Sequence, residues 1–90
     1  MEELLQRPVT LHGVRIGHVV DVILEATDGQ PMGLEVRCLD GRHRFLPTAA
    51  ASPAGGEVVI DSPFALLDTE ELEFYRERGV PLRRGRESAA

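Results

Sequence analysis

Ninety residues make one small domain, which buries only about 60–65% of its unfolded surface and folds with a margin of about 5 kcal/mol. A 42% hydrophobic share excludes a disordered chain, and one cysteine, Cys38, excludes an internal disulfide framework. The net charge of −5 is uneven: residues 1–82 hold seven of ten arginines and fourteen of fifteen acids, which argues against a nucleic-acid-binding body. No apolar run approaches the roughly 20 residues that span a bilayer, so no membrane insertion is expected. The acidic start Met1-Glu2-Glu3 is not a secretory signal, and the chain reads as cytoplasmic.

The first predicted strand runs from Arg7 to His12, with Pro8 confined to a strand start or edge and Gly13 marking a tight turn. Residues 18–27 are the strongest strand signal, rich in β-branched residues. Strict alternation puts Ile16, Val20, Val22, Leu24 and Ala26 on the main core face, and Val19, Asp21, Ile23 and Glu25 on a mixed, half-covered face. Asp28-Gly29 signals a hairpin. The next strand sends Met32, Leu34, Val36 and Cys38 inward, with Gly33, Glu35 and Arg37 outward. Asp40-Gly41 is a second hairpin turn, followed by Arg42 to Pro47 with Phe45 as the core aromatic. A small-residue loop over 49–56 precedes a strand over Glu57–Asp61, which Ser62-Pro63 ends. Five to six short strands with a turn signal about every ten residues predict a mostly-β fold, a sandwich or small barrel.

One short helix is predicted over residues 69–78. Asp68 is its N-cap and Glu71 completes a capping box. Glu70, Glu71 and Glu73 suit the positive end of the helix dipole, Arg76 and Arg78 the negative end, and Gly79 and Pro81 close it. The ordered domain is expected to span 1–82. The tail Arg83-Arg84-Gly85-Arg86 onward, 83–90, has no apolar content and reads as flexible and solvated.

Nothing in the chain has catalytic spacing. His12, His18 and His43 form no metal pair, and there is no CxxC or HxxxH. Cys38 lies on an apolar face and reads as a small core hydrophobe, although His43 across the turn could neighbour it. Phosphate loops, nucleophile elbows and dinucleotide fingerprints are missing, so no cofactor is expected. Asp21 is the odd residue of its strand, read as an outward charge or a partner for Arg15, Arg42 or Arg44.

The run Gly13-Val14-Arg15-Ile16-Gly17-His18-Val19-Val20-Asp21-Val22-Ile23-Leu24 resembles the opening of the PRC-barrel family. So do Asp28 to Val36 and Arg44-Phe45-Leu46-Pro47, in matching order and spacing over roughly residues 7–62. The resemblance implies a small PRC-type β-barrel serving as a binding or assembly module. Family members include the cytoplasmic part of the photosynthetic reaction-centre H subunit and the C-terminal domain of the ribosome maturation factor. The chain lacks the transmembrane helix of the first and the N-terminal domain of the second, so their functions are not carried over. The expectation is a non-catalytic module with a protein partner, self-associating as a homo-oligomer, a dimer. The alternative by analogy is a ribosome- or RNA-associated factor binding a ribosomal protein; DNA is not expected. The predicted contact surface consists of apolar residues outside the main core sets: Val19, Ile23, Leu39 and Val59 on the strands, and Leu72, Phe74 and Tyr75 on the helix.

Overall fold

The computed structural model of the chain describes residues 2–82; the arginine tail at 83–90 lies outside the described residues. Seven strands and one helix follow in order: β1 (Pro8–Leu11), β2 (Val14–Glu25), β3 (Pro31–Cys38), β4 (His43–Pro47), β5 (Ser52–Ala54), β6 (Glu57–Ile60), α1 (Thr69–Arg78) and β7 (Gly79–Pro81). They form one sheet in the order β4-β3-β2-β1-β6-β5, with β7 added to β2. All neighbours are antiparallel except β1 and β6, which run parallel.

The turn chemistry explains the meander. His12 and Gly13 both take positive φ, +51° and +80°, which closes a two-residue turn between Leu11 and Val14. At the other two hairpins an aspartate fixes the loop: Asp28 accepts the Gln30 N–H and Asp40 accepts the Arg42 N–H, each at 2.9 Å.

The mostly-β class and the single short helix match the reading of the sequence, but the sheet is not a closed barrel. Its ends are β4 and β5. The free side of β4 is taken by the segment leading into the helix: the Phe45 N–H donates to Leu67 O at 3.0 Å, and the Leu67 N–H donates to Phe45 O at 2.8 Å. The other end, β5, is three residues long and carries Pro53, which has no N–H to offer.

The core has two layers, one on each face of the sheet. Val9, Val19, Val22, Leu34, Val36, Leu46, Val58 and Ile60 fill the inner face. Ile23, Phe45 and Leu72 fill the outer face beneath α1, with Met32, Leu67 and Tyr75 packed on them. Strict alternation misassigned the first layer. In β2 the register shifts between Val19 and Asp21, so both Val19 and Val20 fall within the span facing Val36 and Glu35. Such a bulge slips the alternation by one residue. Val19 and Val22 therefore share the inner core, Val20 is only half-buried, and Ala26 lies beyond the strand, exposed.

The helix matches the predicted span. Asp68 occupies the N-cap position but makes no side-chain cap hydrogen bond, so the capping box does not form. Its carbonyl instead accepts the Leu72 N–H at 3.1 Å. Leu72 is the helix's single buried residue. Gly79 to Pro81 do more than end the helix: they pair with Glu25, Leu24 and Ile23 as β7. Among the described residues no helix is long and apolar enough to cross a membrane.

Candidate interaction surface

The surface residues expected from the sequence separate sharply. Val19 and Ile23 are 0% exposed and Leu72 is 1% exposed. Val19 belongs to the inner core, while Ile23 and Leu72 form the packed contact under the helix, so these three are corrected from surface to core. Val59 and Tyr75 are half-buried. Tyr75 stacks on Phe45 with ring centroids 4.2 Å apart and planes 9° from parallel. Leu39 and Phe74 remain exposed.

The outer face carries a polar cluster that joins helix to sheet. Glu35 is buried and pairs across the strands with Asp21, which is also buried. Asp21 is thus not an outward charge; its Oδ1 accepts the Val22 N–H at 2.8 Å. Two carboxylates side by side in a covered position need compensating cations. Glu35 meets His43 Nδ1 at 2.5 Å and Arg76 Nη1 at 3.7 Å. The Thr69 hydroxyl donates to His43 O at 2.8 Å, so the first and last turns of α1 are both pinned to β3 and β4. His43 therefore faces outward with Glu35, while Cys38 packs in the inner core. The register does not bring this cysteine and histidine together. Among the described residues no three His, Cys, Asp or Glu side chains converge as a metal site would require.

The opposite end of the sheet has a different character. The β1–β2 turn, the β3–β4 turn and the segment after β6 meet there, because β2 begins where β3 ends and Leu11 lies beside Ile60. Three of the five exposed large hydrophobics sit on these segments: Val14 at 63%, Leu39 at 75% and Phe64 at 88% exposure. The same segments enclose an open, mainly apolar groove of about 410 Å³ lined by Leu11, Ile16, Leu39, Pro63 and Leu66, with Cys38, Asp40 and Arg44 on its wall.

The lips of this groove are held by local hydrogen bonds. Leu39 donates its N–H to Ile16 O at 3.2 Å, and Gly41, at φ +84°, donates to Cys38 O at 2.9 Å. Asp40 also receives a two-pronged contact from Arg44, at 2.9 and 3.2 Å. The Arg44 guanidinium, helped by the Arg42 N–H, holds the Asp40 carboxyl below the usual aspartate range. On the other lip, Ser62 caps a single 3₁₀ turn, Pro63–Ala65, by accepting the Phe64 N–H on its hydroxyl at 3.2 Å. Arg15, Arg42 and Asp61, which belong to the three segments that meet here, are exposed. Neither arginine forms an ion pair with another described residue.

Leu39 was legible as a surface candidate in the sequence; Phe64, Val14 and the groove itself were not. A Ser-Pro-Phe turn following a strand was the one available signal.

A model of the PRC-barrel domain family matches residues 3–67, which takes in β1 to β6 and the groove. A search of curated proteins finds no match to the chain.

Proposed function

The chain belongs to the PRC-barrel family, a family of protein-interaction and assembly modules, and from that premise we propose that it is a non-catalytic interaction module that self-associates. The observation that carries the reading is the concentration of exposed apolar side chains around one groove. Isolated surface hydrophobics are ordinary, whereas a contiguous patch held on ordered turns marks a contact site. The sheet edges do not compete for this role. Residues 67–69 occupy the β4 edge, and Pro53 sits in the short β5 edge. Contact through side chains at the groove end is therefore favoured over strand addition.

Sedimentation velocity on the full chain from about 1 μM to about 1 mM tests this, a range that brackets weak and moderate interfaces. The expected result is a dimer fraction that rises with concentration. A monomer across the whole range overturns self-association.

A further inference from the structure

We propose that the groove at the end of the sheet is filled by a second copy of this chain, the two copies exchanging Phe64 side chains about a two-fold axis. The inference rests on the self-association reading and adds which residues form the contact.

Phe64 is 88% exposed, the most exposed large hydrophobic of the described chain. It is held there by backbone geometry. In a 3₁₀ turn, residues three apart lie on the same side, and the intervening residue points about 120° away. Pro63 and Leu66 are three apart and both line the groove. Phe64 is turned from it by that geometry and does not line the groove, and the Ser62 cap holds its backbone N–H in the turn. An aromatic held outward beside an apolar groove that it does not fill is matched to the groove of another molecule. The space is sufficient: a cavity of about 150 Å³ accepts a benzene ring, and this groove offers about 410 Å³.

The charges favour a copy of the same chain. The molecule carries −5 overall, and α1 presents Glu70, Glu71, Glu73 and Glu77 to solvent, so most faces of two copies repel. The groove end differs. It carries Asp61 on the segment that leads to Phe64, and Arg15, Arg42 and the Asp40–Arg44 pair on the two turns opposite. In a two-fold contact each patch meets itself. Asp61 of one copy then faces Arg15 and Arg42 of the other as each Phe64 enters the opposite groove. A patch bearing both signs on opposite flanks is self-complementary, and Arg15 and Arg42 both lie exposed to a partner.

The test compares dimer dissociation constants by sedimentation velocity, with far-UV circular dichroism confirming each fold. Phe64→Ala and Leu39→Glu are expected to weaken the dimer at least tenfold, as removal of a central anchor does. Phe74→Ala, on the helix, leaves it unchanged. Asp61→Arg and Arg42→Asp each weaken it, and the double variant carrying both regains most of the affinity. A dimer that keeps its affinity in Phe64→Ala and Leu39→Glu overturns the exchanged-phenylalanine contact while leaving self-association standing. A wild-type monomer at every concentration overturns both.

Discussion

Gly33→Ala sets two physical effects against each other, and the structure decides the sign. In a strand interior alanine is normally the better residue, by roughly 0.5–1 kcal/mol, because glycine loses more backbone freedom on folding. Here a Cβ would sit 2.6 Å from Phe45 Cε1 and 2.7 Å from Leu46 O, with Phe45 Cζ closer still. Carbon atoms rest at about 3.5–4.0 Å, so the ring must retreat by about 1 Å or more. It has nowhere to go. Phe45 is 2% exposed, packed with Ile23 and Leu72, and stacked on Tyr75. Leu46 O belongs to the neighbouring strand, which pairs with Leu34 and cannot separate without breaking the ladder. Overpacking of this kind costs about 1–3 kcal/mol. Against the propensity gain, the net loss is about 1–2 kcal/mol, a large part of the margin of a domain this size. Urea unfolding followed by circular dichroism should show it, with the melting temperature lower by about 4–15 °C. Pairing the change with Phe45→Leu should remove the ring's share of the penalty and leave the contact with Leu46 O. A Gly33→Ala protein as stable as the wild type, or more so, would refute the argument.

Two further outcomes follow from the helix and from the groove lip. Leu72→Ala empties the one buried position of α1 and should cost about 2–4 kcal/mol. Because Tyr75 is the only tyrosine and there is no tryptophan, near-ultraviolet dichroism reports its stacking on Phe45, and this signal should fall before the far-ultraviolet strand signal does; simultaneous loss of both would mean that the helix is not a separable layer. Asp40 should titrate, by NMR of its carboxyl carbon, below the ordinary aspartate value of about 3.9. Its folded-state affinity for protons is the lower one, so its contribution to stability is present above that value and fades as pH drops through the folded midpoint. Arg44→Gln should raise the midpoint toward the ordinary range, the Arg42 N–H still holding it down in part, and an unchanged midpoint would remove Arg44 as the main cause.

The hairpins were legible because their chemistry is local. Asp28-Gly29 and Asp40-Gly41 announce turns through side chains that bond within two residues, and both turns form as read. The helix span was legible for the same reason, from acids at its start and arginines at its end. What the sequence hid is what depends on register. No residue type marks the bulge at Val20, because any valine serves, yet that one extra residue transfers Val19 from the outer face to the core. The three residues of β7 are equally silent. Gly79-Val80-Pro81 reads as the end of a helix, and only the edge of β2 that β1 leaves open near its C-terminal end explains why it becomes a strand.

The same distinction explains how much of the candidate surface could be read in advance. Assigning surface residues by alternation inherits every error of register, which is why Val19 was read as a contact and is core; Ile23 and Leu72 do lie on the outer face, and the packing of α1 there buries them against each other. The exposure of Leu39 was legible because it belongs to a turn, where the neighbouring Asp40-Gly41 fixes its direction without reference to a partner strand. Phe64 obeys the same rule, although no motif in the sequence singles it out. Its direction is set by Ser62 and Pro63, one a cap and the other a fixed φ, before any tertiary contact is made. Local turn chemistry thus makes the exposure of both side chains a property of the sequence. Only the fold, by bringing the β1–β2 turn, the β3–β4 turn and the segment after β6 to one end, converts them into a single patch with a groove between.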